Sequence, residues 1–215
     1  MRAVTSSRVH CIEHPVVQHC LTRLRDKKTP PVEWRALLRR LTLLCMYEVL
    51  QDAPWEEVEV ETPLATARGT RLREEDVVVV PVLRAGLGMV EAVLEVVPGA
   101  AVGHVGLERQ HDTLRPVTYY CKLPPRLDRR FCLILDPMLA TGGSAAAAVD
   151  LVKDAGACSV SLLSLIAAPE GIGALSRRHP DVTIYVAAID DGLNENAYIV
   201  PGLGDAGDRL YDTFH

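Results

Sequence analysis

Phe131-Cys132-Leu133-Ile134-Leu135-Asp136-Pro137-Met138-Leu139-Ala140-Thr141-Gly142-Gly143-Ser144, followed by an alanine-rich run to Asp154 and then Gly156, is the stretch whose reading decides the fold. Phe131 to Leu135 is an unbroken apolar run of strand length, the pattern of a strand buried on both faces. Asp136 stands where that strand ends, and Pro137 stops the ladder because it has no N–H to donate. Alanine is the best helix former, so the segment after Ser144 reads as a helix to about Asp154, with Gly156 as its stop. Strand, small-residue loop and helix start is the geometry of a phosphate cradle. The first N–H groups of a helix lack intrahelical partners and carry partial positive charge. Gly142 and Gly143 let the backbone approach an anion, and the Thr141 and Ser144 hydroxyls can donate to phosphate oxygens. An ordinary strand-to-helix turn with Ser144 as N-cap fits the loop residues equally well. Asp136 favours the cradle, because a carboxylate there suits ribose hydroxyls or a metal-bound sugar phosphate rather than a bare anion.

Outward from this stretch, the runs Val77–Leu83, Ala101–Leu107, Val160–Ala167 and Val182–Ala188 also read as strands. They are joined mostly by helix-length segments, which predicts an α/β protein with a mainly parallel sheet. Val77–Leu83 empties into Arg84-Ala85-Gly86-Leu87-Gly88, followed by a helix over Met89–Val97. An arginine at the carboxyl end of a buried strand, beside glycines, is well placed to meet an anion. Glu33–Leu50 has the spacing of an amphipathic helix, with Trp34, Leu37, Leu38, Leu41, Leu44, Cys45 and Val49 on one face and Arg35, Arg39 and Arg40 toward water. Asp52–Ala67 alternates Val58 and Val60 with Glu57, Glu59 and Glu61, a half-exposed strand pattern. Pro169 to Arg178 reads as a short helix with proline in its first turn. Residues 110–116 form a loop before a further strand over Val117–Leu123, and this hairpin is either a lid or a plain connection.

Residues 190–208 read as a loop, and long structureless segments in compact domains tend to be functional. Gly202 to Gly207 spells G-x-G-x-x-G, yet it stands too near the C-terminus for a following helix and βαβ unit, so it is no dinucleotide fingerprint. Its glycines instead let backbone amides and carbonyls reach the edge of a planar ligand.

The totals bound the class. The 215 residues fit one domain over 1–215, and hydrophobic and charged fractions of 48% and 24% are ordinary for a globular protein. A net charge of -5 argues against a general nucleic-acid binder, so local arginines and backbone amides must hold any anionic substrate. Cysteines 11, 20, 45, 121, 132 and 158 show no C-x-x-C, and Cys132 and Cys158 fall in strand-like runs where a thiol is a small core residue. Reduced thiols, no signal-peptide pattern and no apolar stretch of membrane length predict a cytoplasmic protein without membrane or nucleic-acid partners. His10, Cys11, His14, His19 and Cys20 lack a second cluster with ligand spacing, so they are not read as a zinc site.

Pro81 to Met89, Asp136 to Ser144, Ala167-Ala168-Pro169-Glu170-Gly171, Gly192-Leu193-Asn194-Glu195 and Ile199 to Asp208 together resemble the uracil phosphoribosyltransferase family. The resemblance runs from about His14 to the C-terminus and is strongest after residue 77. It implies the type I phosphoribosyltransferase fold, with a mainly parallel central sheet flanked by helices, a β-hairpin lid and a C-terminal base-binding loop. It also implies conversion of uracil and 5-phospho-α-D-ribose 1-diphosphate (PRPP) to UMP and diphosphate. The cofactor would be Mg²⁺, held mainly through PRPP and water rather than by direct protein ligands. Arg84 and Arg109 would hold the diphosphate. Asp136, Pro137, Met138, Leu139, Ala140, Thr141, Gly142, Gly143 and Ser144 would hold the ribose 5-phosphate. Ile199, Gly204, Asp205 and Ala206 would read uracil, largely through backbone groups. Asp205 would also lie near the sugar diphosphate, and it is the candidate base for uracil N1, with a structural loop carboxylate as the competing role. A homodimer or larger homo-oligomer is implied, and activation by a purine nucleotide such as GTP is left open. A non-catalytic nucleotide-sensing relative and a type I enzyme for another base are the rival readings.

The residues agree with the chemistry. Cleaving the anomeric bond puts negative charge on departing diphosphate, so the reaction calls for electrostatic stabilisation by arginines and a metal more than for a strong nucleophile. Two stretches depart from the family pattern: Tyr47 to Ala53, and Glu108 to Leu114, which is less acidic than the usual lid. They bear on subunit contacts, regulation and lid kinetics.

Overall fold

A computed structural model describes residues 8–109 and 116–213, with the side chains of Arg109 and Pro116 outside that description. Among the described residues the chain builds a nine-stranded sheet whose central order is β1-β11-β10-β8-β4-β6-β7. The strands are β1 (Val9–Cys11), β4 (Val77–Leu83), β5 (Ala101–Val102), β6 (His104–Arg109), β7 (Pro116–Lys122), β8 (Phe131–Leu135), β9 (Met138–Leu139), β10 (Ser159–Ala167) and β11 (Thr183–Ile189). All pairings are parallel except β6 with β7, so the α/β expectation holds.

The valine run of β4 is buried, and alternation decides which face each residue serves. Val77 and Val79 join the core beneath α1 (Pro15–Arg25), α2 (Pro31–Val49), α3 (Leu87–Val96) and α6 (Ala206–Tyr211). Val78, Val80 and Val82 join the core beneath α4 (Gly143–Asp154) and α5 (Pro169–Arg178). Strand β8 repeats the division: Phe131, Leu133 and Leu135 face the first core, Cys132 and Ile134 the second. A side-chain period of two, covered on both faces, is what makes these strands read as continuous apolar runs.

Several expectations need correction. Helix α1 was not among the expected elements, although its buried Val17, Cys20, Leu21 and Leu24 have i, i+3, i+4, i+7 spacing. His14 caps it, with Nδ1 accepting from Val16 N at 3.2 Å. Strand β1 is only three residues long, too short for its period to show. The half-exposed strand expected within 52–67 is present as β2 (Trp55–Glu61), and it pairs with β3 (Thr66–Leu72) in a separate antiparallel hairpin. Its cross-strand neighbours Glu56 and Arg71 form an ion pair at 2.5 Å. Cys158 is exposed just before β10, whereas Cys132 is buried as expected. The 190–208 segment is not a plain loop: it contains the small hairpin β12 (Gly192–Leu193) with β13 (Ile199–Val200), then the six-residue α6. No helix among the described residues is long and apolar enough to cross a membrane.

Candidate active site

Strands β4 and β8 are neighbours, but the chain leaves them in opposite directions, β4 toward β6 and β8 toward β10. A crevice outside the carboxyl ends of strands at such a switch point is where open α/β sheets bind ligands. A cleft of about 230 Å³ opens there. Its walls include Leu83 at the end of β4, Arg84 and Ala85 after it, Leu107 of β6, Asp136 to Ala145 in part, and Asp205, Ala206 and Gly207 at the start of α6.

The loop after β8 is shaped by close packing. Asp136 Oδ1 accepts from Met138 N at 3.4 Å, and the Pro137 carbonyl accepts from Leu165 N and Ile166 N at 3.0 and 3.2 Å. Strand β9 then runs beside β10, and Leu139 O accepts from Ala168 N at 2.9 Å. Gly142 takes φ +82°, and a Cβ there would lie 2.7 Å from the Gly171 carbonyl oxygen. Gly171 is pressed in turn against the carbonyls of Ala140 and Leu139. The cradle therefore rests on the first turn of α5, which is the physical use of the Pro169-Glu170-Gly171 motif. Gly142, not Ser144, precedes helix α4 as its cap residue, so the alternative with Ser144 as N-cap does not hold. Ser144 lies in the first helical turn and faces the cleft.

Arg84 follows a cis peptide bond from Leu83. Its Nη2 lies 3.4 Å from Asp208 Oδ1, and its carbonyl accepts from the Tyr211 hydroxyl at 3.2 Å. Its side chain is 56% exposed, so the guanidinium is at the mouth of the cleft rather than in the core. Asp205 caps α6, with Oδ1 accepting from Asp208 N at 3.0 Å. The carboxylate weighed as a base thus also has a structural duty. That helix was missed in the sequence because its six residues are too few for helical periodicity, although the Asp205 N-cap was a readable signal.

Of the predicted site residues, the cleft brings together Arg84, Asp136, Met138, Leu139, Ala140, Thr141, Gly142, Ser144, Asp205 and Ala206. Pro137, Gly143, Ile199 and Gly204 do not line it. Pro137 is spent on the sheet, and Ile199 is buried in β13, held by the turn in which Asn194 Oδ1 accepts from Asn196 N and Tyr198 N. Arg109 ends β6 opposite Pro116, and residues 110–115, weighed as a lid, lie outside the described residues.

A further layer was absent from the sequence reading. Arg25 and Asp190 form a two-pronged ion pair that also grips Gly202, and Arg209 donates to Leu203 O at 3.2 Å and to Asp26 O at 2.6 Å. Burial pulls the Arg209 guanidinium below its ordinary pKa, with Asp26 opposing. Its charge lies 5.8 Å over the Trp34 ring. Glu170 reaches the same segment, its Oε1 accepting from Leu193 N at 3.3 Å. Chemically, the cleft combines a cation, a helix start with hydroxyls, and two carboxylates, a set suited to an anionic sugar. No histidine or cysteine is among the described lining residues.

Residues 11–213 match the family model described as uracil phosphoribosyltransferase. The chain is 58% identical over 207 residues to a uracil phosphoribosyltransferase of Symbiobacterium thermophilum, covering 96% of this chain and 99% of that one. It is 54% identical over 202 residues to that of Dictyoglomus turgidum, covering 94% and 98%. Among solved structures, it resembles the AQ2163 protein of Aquifex aeolicus at 40% identity and a TM-score of 0.90, over 95% of this chain and 98% of that one. A hypoxanthine-guanine phosphoribosyltransferase of Bacillus anthracis shares only the fold, at 12% identity and a TM-score of 0.51, covering 74% and 80%. The architecture is the type I phosphoribosyltransferase fold.

Proposed function

We infer the chemistry of this cleft from the premise that the chain belongs to the uracil phosphoribosyltransferase family. The protein converts uracil and PRPP to UMP and diphosphate, a step of pyrimidine salvage. The observation that carries this reading is the meeting, in one cleft at the β4/β8 switch point, of Arg84, the 136–144 loop and the start of α6.

In this reading the 5-phosphate sits on the amides and hydroxyls of Thr141 to Ser144, where the α4 dipole favours negative charge. The Asp136 carboxylate accepts from ribose hydroxyls. Arg84, with Arg109 from the end of β6, holds the diphosphate and stabilises the charge it gains on leaving. Uracil lies against residues 199–206, read by backbone groups of Ile199, Gly204 and Ala206. Its N1 proton passes to Asp205 directly or through water. Because Asp205 Oδ1 already accepts from Asp208 N, its other oxygen is the better placed for this.

Mg²⁺ suits the lining: it prefers oxygen donors and binds through one or two carboxylates, substrate phosphates and water. Asp136 and Asp205 line the cleft, while no cluster of three or more His, Cys, Asp or Glu that could hold a metal forms among the described residues. The ion would enter on PRPP and face those carboxylates through its water shell. When bound, it neutralises charge on the diphosphate. The same reading carries a cytoplasmic enzyme assembled as a homodimer or larger homo-oligomer.

The test is to mix the protein with PRPP, Mg²⁺ and each nucleobase in turn and follow nucleotide formation. UMP from uracil alone is expected. No turnover on any base, or turnover on a purine alone, would refute the reading. Arg109→Ala is expected to raise the KM for PRPP with the fold intact, and normal kinetics would remove Arg109 from the site.

A further inference from the structure

We propose that Arg25 and Asp190 are a positioning pair for the base loop, acting on uracil through the backbone of Gly202. The inference rests on residues 199–206 being the uracil wall. Arg25 closes α1 and Asp190 follows β11, 165 residues away. Arg25 Nη1 donates to Asp190 Oδ2 at 2.7 Å and Nη2 to Oδ1 at 2.5 Å, a fork on fork. The Asp190 side chain is 4% exposed and that of Arg25 23%.

The pair holds both backbone groups of one residue. Gly202 N–H donates to Asp190 Oδ2 at 2.9 Å, and Gly202 C=O accepts from Arg25 Nη1 at 2.7 Å. Gly202 has φ +64°, and a Cβ would collide with the Ile199 carbonyl, so this peptide is folded back on the strand that precedes it. Arg209 secures the next residue through Leu203 O and reaches the Arg25 carbonyl at 3.3 Å. The backbone between Ile199 and Gly204 is thereby tied to the end of α1.

Neither Arg25 nor Asp190 lines the cleft. A buried ion pair is also a poor source of net stability, since desolvation offsets most of the attraction and apolar replacements are often neutral. What the fork does supply is direction: it sets the orientation of the Gly202 peptide, and with it the groups that read a planar base two to four residues on. The cradle hangs on β8, β10 and α5 through bonds that do not involve this pair. Loosening the pair therefore loosens uracil and spares PRPP.

Steady-state kinetics of the full chain, with uracil and PRPP varied separately, tests this in Arg25→Met, Asp190→Asn, the double variant and Arg25→Lys. The KM for uracil is expected to rise about tenfold or more in each single variant, the scale of one lost charge-assisted hydrogen bond. The KM for PRPP should stay within about threefold. The double variant should lose less than the product of the two single losses, and Arg25→Lys should recover part of the affinity. An unchanged uracil KM, or equal rises for both substrates, overturns the proposal. Should Arg25→Met not fold, Asp190→Asn keeps the size of the side chain and one acceptor for Gly202, and it carries the same comparison. A wild-type protein that makes no UMP refutes the functional reading itself, whereas active wild type with unshifted variants refutes only the positioning pair.

Discussion

Gly171→Ala isolates the support beneath the phosphate cradle. The added Cβ would press on the Ala140 carbonyl oxygen and lie 2.7 Å from the Leu139 oxygen and 3.0 Å from the Ala140 carbonyl carbon. All three atoms are backbone, and Leu139 O is already bonded to Ala168 N at 2.9 Å, so none can swing aside as a side chain would. Alanine in a helix otherwise gains about 0.5–1 kcal/mol over glycine. Forcing extra volume into packed structure costs about 1–3 kcal/mol. The net is a loss of about 1–2 kcal/mol, which lowers Tm by roughly 5 °C in a chain of this size. Because the strain is relieved by moving residues 139–142, the KM for PRPP should rise about tenfold while the KM for uracil moves little. Gly173→Ala, two residues along the same helix, is the control: its Cβ would meet only Arg177 Nη1 at 3.2 Å, the far end of a flexible side chain. It should raise Tm slightly and leave PRPP binding alone. Thermal unfolding and steady-state kinetics on both variants decide the matter. If Gly171→Ala behaves like Gly173→Ala, the cradle does not rest on α5 in the way argued.

Three further outcomes are expected. Arg84→Ala should raise the KM for PRPP at least tenfold, about the worth of one charge-assisted contact, with a smaller effect on uracil; unaltered kinetics would take Arg84 out of the diphosphate site. Asp136→Asn should lower kcat/KM for PRPP by about tenfold, since it removes the charge facing the ribose hydroxyls, and full activity would make that carboxylate structural. Stability should fall as pH rises from about 9 toward 12. Burial pushes the Cys45 and Cys132 thiols from an ordinary 9.0 up to about 12. Below pH 9 both the folded and unfolded chains hold these protons and the full stability is present; above it the unfolded chain releases them first and is favoured. Tyr185, raised by burial and by its hydrogen bond to Asp52, acts in the same direction. Urea midpoints that stay constant over this window would contradict the burial of these groups.

The parts of this molecule that were legible in the sequence are those built from contiguous residues. Phe131 to Asp154 carries a strand, its end, a turn and a helix start in one run, so composition and period sufficed to place the cradle. Arg84 was legible for the same reason, as the residue leaving a valine strand. Where the elements are short, period is lost: β1, β12, β13 and α6 are at most six residues each, and their conformation comes from pairing with distant chain. Helix α1 is a different case. Its apolar positions have helical spacing, but they are interleaved with Gln18, His19, Thr22 and Arg23 in a run of only eleven residues, so composition did not mark a helix. Cys158 shows the opposite error, since an apolar neighbourhood in sequence did not bury it.

The two walls of the cleft are held by largely separate sets of contacts, and this has a functional consequence. The 136–144 loop is seated against α5 and leads into α4: Leu139 packs into the core built around Val78, Val80 and Ile134, while Met138 and Ala140 pack against the other. The base loop is tied to α1 by Arg25, Asp190 and Arg209, and α6 packs with Leu210 into the other core. The two sets of contacts meet at the strand ends, at Met138 and Ala140, and where Glu170 of α5 accepts from Leu193 N. A substitution in one layer should therefore express itself in the KM of one substrate, Gly171→Ala in that of PRPP and Arg25→Met in that of uracil. Residues where the walls touch should couple the two. Arg84, which belongs to the diphosphate side yet meets Asp208 and Tyr211 of α6, is one such point of contact, so its loss should reach uracil binding as well, though less strongly.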